Sequence, residues 1–148
     1  MYPRMRKVDI VSGQIVGAAI RVHKKFGPGL LESVYTPCLA HELLAQGLEV
    51  EVQKPLGLQH DGMDVPRAYV VDMLVDGLVI VEVKSIAHVA PIHSAQLLTY
   101  LRLTRLEVGL IINFNVTKLV DGVKRVVNDY REESTDEAGD APNHPLQK

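Results

Sequence analysis

Three charged residues interrupt two otherwise apolar runs in the middle of the chain. Asp72 lies within residues 67–75, and both Glu82 and Lys84 lie within residues 78–84. Because alternate residues of a strand share a face, Glu82 and Lys84 project together while their neighbours fill the other face. A buried charge is costly unless it is paired or bound to a metal, so this placement needs a partner.

Residue types alone leave two interpretations of these charges open. In the first, Glu82 and Lys84 form an ion pair on a solvent-facing strand end, and Asp72 is also exposed. In the second, the two carboxylates and the Val83 carbonyl are hard oxygen ligands for Mg²⁺ or Mn²⁺. Lys84 would then orient or activate a water, or stabilise the charge of a phosphate.

The connection between the two runs decides whether the acids can share a metal. Asp76-Gly77 is a strong signal for a hairpin. A regular two-residue turn would place Asp72 opposite Val81, so Asp72 and Glu82 would lie on opposite faces of the sheet. The metal site therefore requires an odd-length loop, such as a three-residue turn with a bulge, or a bulge within a strand. We predict such a loop.

Helices and strands surround this hairpin. Apolar residues at three- and four-residue spacing predict helices, whereas alternating or continuous apolar runs predict strands. The predicted helices are 9–25, 30–46 and 92–104, and the predicted strands are 48–53, 55–58, 67–75, 78–84, 108–116 and 124–127. Pro37 should kink or restart the second helix, and Gly47 should end it. This order predicts helices packed on a mixed sheet.

The composition is that of an ordinary globular domain. The 148 residues are 47% hydrophobic and 23% charged, which suits one core. The single cysteine excludes an internal disulfide framework and a Cys-rich zinc ribbon. No apolar run approaches the roughly 18–20 residues that span a bilayer, and no secretory signal is present. We therefore expect a cytoplasmic protein without membrane contact.

The charge pattern changes after residue 130. Residues 131–148 carry five acidic and two basic residues, so we predict a disordered acidic tail. Residues 1–130 form the predicted domain and carry 14 basic and 13 acidic residues, although the whole chain has a formal net charge of −2. This balance allows a phosphate-binding cleft, but it argues against tight, purely electrostatic binding to nucleic acid.

The charged residues also match a known motif. Asp72 followed by Glu82-Val83-Lys84 resembles the Asp…(Asp/Glu)-x-Lys core of the PD-(D/E)xK nuclease superfamily. One departure is that Val71 stands where many members have a proline before the first acid. That proline is often missing in the superfamily.

Two further segments extend the resemblance from about residue 15 to residue 127. Residues 29–35, GLLESVY, fit the G-x-x-E-x-x-Y signature of the small bacterial "GxxExxY" proteins. Residues 93–100, HSAQLLTY, contain the Q-x-x-x-Y element that follows the core in RecB-like nucleases. The three motifs occur in the order that this family has.

The resemblance implies an α/β, restriction-endonuclease-like fold, in which helices flank a central mixed β-sheet. It implies a nuclease that hydrolyses phosphodiester bonds in DNA or RNA with Mg²⁺ or Mn²⁺. The implied catalytic residues are Glu32, Asp72, Glu82, Lys84, Gln96 and Tyr100. The predicted metal ligands are Asp72, Glu82, the Val83 carbonyl and Glu32.

The flanking residues also have purely structural interpretations. Glu32 would favour the positive end of its helix dipole. Gln96 and Tyr100 are four residues apart and would form one polar helix edge. Tyr35, on the same helix face as Glu32, would either hydrogen-bond a carboxylate or phosphate or pack in the core. His93 would help to open its helix.

Two other hypotheses stay open at this point. One is an inactive module that keeps the fold and binds nucleic acid or protein, which a titration with Mg²⁺ or Mn²⁺ would distinguish. The other, which does not exclude a nuclease, is a homodimer formed through sheet edges or helices.

Overall fold

The computed structural model describes residues 4–129. This part of the chain contains three α-helices, five β-strands and a short 3-10 turn, Leu119–Gly122. The elements in chain order are α1 (Lys7–Phe26), α2 (Glu32–Ala45), β1 (Val50–His60), β2 (Met63–Val75), β3 (Val79–Lys84), α3 (Pro91–Thr104), β4 (Val108–Asn113) and β5 (Val123–Val127). The predicted acidic tail, 131–148, lies outside the described residues.

The five strands form one sheet in the order β1-β2-β3-β4-β5. All neighbouring pairs are antiparallel except β3 and β4, which are parallel. The predicted α/β fold, a mixed sheet flanked by helices, is therefore confirmed. Among the described residues, no helix has the length and apolar character needed to cross a bilayer.

Two hydrophobic cores lie on the two faces of the sheet. The α1/α2-side core contains Val79, Val81 and Val83 from β3. The α3-side core contains Ile80 from β3 together with Leu97 from α3. Strand β4 is buried along its whole length, because both cores cover it. The alternation along β3 directs the even-numbered side chains, which include both charged ones, towards the face that α3 covers.

The hairpin between β2 and β3 has the predicted odd-length loop. Its three residues, 76–78, connect Val75 to Val79, which are direct partners in the ladder. The first two loop residues have φ angles of 52° and 64°, which the Asp-Gly pair accommodates well. Continuing this register places Asp72 opposite Glu82. The precondition for a shared site is thus met.

Two local predictions need correction. One continuous strand, β1, replaces the two short strands predicted before the first turn. Of the two outcomes expected at Pro37, the restart is wrong, because α2 runs through the proline as one helix, whereas the kink stays a prediction. The proline removes only the hydrogen bond to Ser33, whose exposed position lets water take its place. Gly47 does end the helix as predicted, with a φ of 85°, and the Leu48 amide donates back to the Leu43 carbonyl at 3.2 Å.

Gly122 occupies a position without room for a side chain, because a Cβ there would overlap the carbonyl oxygen of Asn113. We expect Gly122→Ala to lower the free energy of unfolding by about 1–3 kcal/mol, measured by urea denaturation. Gly13→Ala in α1 is the matched control, since nothing lies within 4 Å of its Cβ position and alanine favours a helix by roughly 0.5–1 kcal/mol. Equal stability of the two variants would contradict this packing.

Candidate active site

Strands β2 and β3 separate where the charged residues lie. Their Cα pairing ends at Met73 and Val81, whereas β3 continues to Lys84 and pairs there only with β4. We call the gap between residues 63–72 of β2 and residues 82–84 of β3 the notch. Within the notch, the backbone edges of the two strands are not paired with each other.

Asp72 closes the inner end of the notch with its side chain. The Val83 amide donates a hydrogen bond of 2.8 Å to the Asp72 Oδ2 atom, which takes the place of a backbone acceptor. Val71 packs in the α3-side core and Met73 in the α1/α2-side core. Because residues two apart in a regular strand share a face, β2 must change the face that it presents at Asp72.

Glu82 is buried beside this carboxylate. It is 8% exposed. Burial is the largest of the causes that raise its pKa to about 9, and a hydrogen bond and charge repulsion from Asp72 contribute less. The positive charge of Lys84 acts in the opposite direction. Glu82 therefore keeps its proton at neutral pH. A cation would take over the role of that proton.

The Val83 carbonyl also faces the notch. The Phe114 amide donates to the Lys84 carbonyl at 2.9 Å, so the Lys84 carbonyl points towards β4. Backbone groups of successive strand residues point to opposite edges, and the Val83 carbonyl therefore points to the side of Asp72. The Asp72 and Glu82 carboxyl groups therefore lie together at the inner end of the notch, and the Val83 carbonyl is on the edge of β3 that faces β2. Oxygen atoms of these kinds are a donor set suited to Mg²⁺ or Mn²⁺.

The donor set contains only two acidic side chains. Among residues 4–129, no three His, Cys, Asp or Glu side chains come together in a cluster that could hold a metal ion. A cation between Asp72 and Glu82 would complete its shell with the Val83 carbonyl and water, as Mg²⁺ usually does.

Tyr100 of α3 adjoins the acids. Burial raises its pKa, with smaller contributions from the charges of Glu82, Tyr69 and Asp72, so its hydroxyl stays a hydrogen-bond donor. Its ring lies 5.2 Å from that of Tyr69, at an angle of 57°. Gln96 lies one turn earlier on the same helix and is exposed. Tyr69 was not predicted as a site residue, because only the fold brings its ring to Tyr100.

Glu32 lies at the start of α2, beside the C-terminal end of β3. Its Oε1 atom accepts a hydrogen bond of 3.3 Å from the Ser85 amide, directly after β3. It lines a cavity of about 570 Å³ together with Ser33, Ser85 and Asn115. This contact ties the start of α2 to the end of β3. Direct coordination of a metal by Glu32 stays a prediction.

The Tyr35 side chain lies in the core and has a structural role. Its hydroxyl donates to the Gly27 carbonyl at 2.5 Å and accepts from the Leu30 amide at 3.1 Å. Its buried ring stacks on Phe114 with the centroids 4.3 Å apart. The tyrosine therefore fixes the loop between α1 and α2, and the core-packing interpretation is confirmed.

The loop between β3 and α3 is held at both ends by side chains. Asn113, which is buried, accepts from the Ile86 and Asn115 amides at 3.1 and 3.2 Å and donates to the Ile86 carbonyl at 2.9 Å. His93 Nδ1 accepts from the Ala90 amide at 2.9 Å, which confirms that it opens α3. This role of Asn113 was not predicted, although an amide inside a continuous apolar run is a signal for a side chain that bonds to the backbone.

The burial of Glu82 predicts a pH-dependent cost in stability. Since its folded pKa lies far above the ordinary value of 4.5, the folded state binds the extra proton and stability falls as the pH rises from 4.5 towards 9. Without divalent cations, we expect Glu82→Gln to be more stable than the unmodified protein by roughly 2–4 kcal/mol near pH 8 and equally stable near pH 4.5.

Urea denaturation across this pH range measures the effect. Glu49→Gln is the matched control, because Glu49 is exposed next to the hairpin loop, where its backbone pairs with Asp76, and its replacement should leave the pH profile unchanged. A Glu82→Gln profile that falls with pH as steeply as that of the unmodified protein would contradict the assigned burial.

Comparison with known proteins agrees with this geometry. The profile of the PD-(D/E)XK nuclease superfamily matches residues 9–126, which include every residue of the candidate site. No curated protein and no solved structure matches the chain. The match covers well over half of the sequence, and the chain therefore belongs to the PD-(D/E)XK nuclease superfamily.

Proposed function

We propose that this domain is a divalent-cation-dependent nuclease that hydrolyses phosphodiester bonds at the inner end of the notch. The observation that carries this proposal is the pairing of Asp72 with the buried Glu82, beside the inward-facing Val83 carbonyl. A domain kept only for its stability gains nothing from two acids forced together in this way. A site that binds Mg²⁺ or Mn²⁺ does.

Asp72, Glu82 and the Val83 carbonyl would hold the cation. When bound, a divalent cation lowers the pKa of a coordinated water and neutralises the charge that develops on the phosphate. The Val83 amide keeps the Asp72 carboxylate in place, at 2.8 Å. Burial keeps competing water away from Glu82, which strengthens every electrostatic interaction made there.

Lys84 and α3 supply the remaining groups. Lys84 follows Glu82 by two residues on the same face of β3, and its charge acts on the Glu82 carboxyl group, so the ammonium is placed to stabilise a phosphate or orient the attacking water. The Tyr100 hydroxyl, protonated beside the acids, donates to a phosphate oxygen. Gln96 lines the same cleft one helical turn away.

Two finer assignments belong to the same proposal. The segment 29–35 supports membership of the bacterial GxxExxY group, and the element in 93–100 supports a RecB-like arrangement. Glu32 is proposed as the additional acidic residue near the metal, acting from the start of α2. A homodimer and a cytoplasmic location stay predictions.

Cleavage assays on labelled single- and double-stranded DNA and RNA test the proposal. We expect cleavage that needs Mg²⁺ or Mn²⁺, stops with EDTA, and falls by about 100-fold or more in Asp72→Asn and in Lys84→Ala. Asp72→Asn loses a metal ligand, whereas Lys84→Ala loses the positive charge and keeps the two carboxylates. Glu49→Gln, an acid-to-amide change away from the notch, should cleave normally.

Two results would overturn the proposal. Robust cleavage by both Asp72→Asn and Lys84→Ala would place the activity elsewhere. A protein that cleaves none of these substrates and binds no Mn²⁺ in calorimetry would be the inactive binding module instead.

A further inference from the structure

The shape of the notch limits what can reach the acids. Paired strands lie only about 4.8 Å apart, so the notch is narrow at its inner end, where β2 and β3 stop pairing at Met73 and Val81. Glu82 is 8% exposed there, and α3 covers one face of the sheet while α1 and α2 cover the other. A single phosphodiester backbone fits such an entrance more readily than both strands of a duplex.

The outer wall of the notch is a two-stranded ribbon. Strands β1 and β2 pair with each other as far as His60 and Met63, well beyond the point where β3 leaves β2. Along residues 63–72 of β2, the edge that faces the notch has no partner strand among the described residues. A ligand chain in the notch would therefore run beside this edge.

Two tyrosines stand between the ribbon and the acids. Tyr69 lies on the ribbon three residues before Asp72, and its ring contacts Tyr100 at 5.2 Å and 57°. Both rings are half-buried, and the Tyr100 hydroxyl experiences the charges of Asp72 and Glu82. The inclined rings form an aromatic corner next to the two acids.

The charge of the domain favours the same kind of ligand. Residues 1–130 carry 14 basic and 13 acidic residues, so long-range attraction to the dense charge of a duplex is small. Stacking of bases on aromatic rings adds affinity to whatever attraction the backbone charge supplies. A duplex hides its base faces, whereas an unpaired strand presents them.

We propose that the notch binds a single, unpaired nucleic-acid strand, with the base beside the scissile phosphate stacked on Tyr69. This inference rests on the proposed function and adds its substrate class: single strands, or the frayed ends and flaps of duplexes. Tyr69 is a substrate-binding residue in this account. Tyr100 completes the corner and donates its hydroxyl towards the phosphate.

Fluorescence anisotropy in Ca²⁺, an ion chosen to occupy oxygen sites without supporting cleavage, tests the inference. The probes are fluorescein-labelled single strands of about 12 nucleotides, as DNA and as RNA, and a blunt duplex of the same sequence. We expect the unmodified protein to bind the single strands at least about tenfold more tightly than the duplex. Tyr69→Leu should lose about tenfold in affinity for the single strands, and Tyr69→Phe should keep it.

The variants separate stacking from packing. Leucine preserves the apolar contacts of Tyr69 with the α3-side core, so a folded Tyr69→Leu protein that loses affinity has lost the aromatic face. Phe26→Leu is the matched control, because Phe26 is an exposed aromatic residue on the α1/α2 side, and its affinity should not change. Equal binding of single strand and duplex, or unchanged affinity in Tyr69→Leu, would overturn the inference.

Together with the cleavage assay, the binding assay separates a failure of the nuclease activity from a failure of the single-strand preference. Tyr69-dependent binding of single strands without cleavage in Mg²⁺ or Mn²⁺ would support the inference and contradict the proposed nuclease activity. Metal-dependent cleavage of duplex and single strand at equal rates would support the nuclease and contradict the inference.

Discussion

The hydrogen bond from the Val83 amide to the Asp72 carboxylate is the contact on which the site depends. It forms where β2 leaves β3, and it satisfies a backbone donor that would otherwise be unpaired at the end of the ladder. The same bond fixes the first acid, and Glu82 is brought next to it by the register of the hairpin. Shortening this loop by one residue would place the two acids on opposite faces of the sheet and abolish the site.

The pairing of the acids is costly to the fold, and the surrounding structure tolerates that cost. Burial and the neighbouring Asp72 raise the pKa of Glu82 to about 9, so the metal-free domain keeps a proton where a cation is expected. Both cores cover β3 and β4, and Asn113 holds the loop that follows β3. These contacts offset the cost of placing the two acids side by side. A buried acid next to a second acid is more typical of a binding site than of a stabilising contact.

Local chemistry made much of this arrangement predictable. The alternation of Glu82 and Lys84 with valines predicted the faces of β3, and the requirement that Asp72 share a face with Glu82 predicted the odd-length loop. Gly47 ended α2 because a glycine with positive φ completes that helix end. Each of these conclusions depends on residues close together in the chain.

What could not be predicted depends on distant parts of the chain. The point at which β2 and β3 stop pairing, at Met73 and Val81, has no signal in the residues of either strand, so the notch could not be predicted. For the same reason Tyr69 was missed, since only the fold brings it to Tyr100. Strand β1 continues past Gln53, whose φ of 53° is unusual for a strand residue, because pairing with β2 resumes at Lys54 and Val71.

The most direct test of a cation site at the inner end of the notch is a titration of ¹⁵N-labelled protein with Mn²⁺, followed by NMR. Bound Mn²⁺ broadens the signals of nearby amides, and the account predicts that Asp72, Glu82, Val83 and Lys84 lose intensity first. The effect should disappear in Asp72→Asn. Broadening centred on other acidic residues, such as Glu49 and Glu51, or spread evenly over the surface, would contradict a metal site at Asp72 and Glu82.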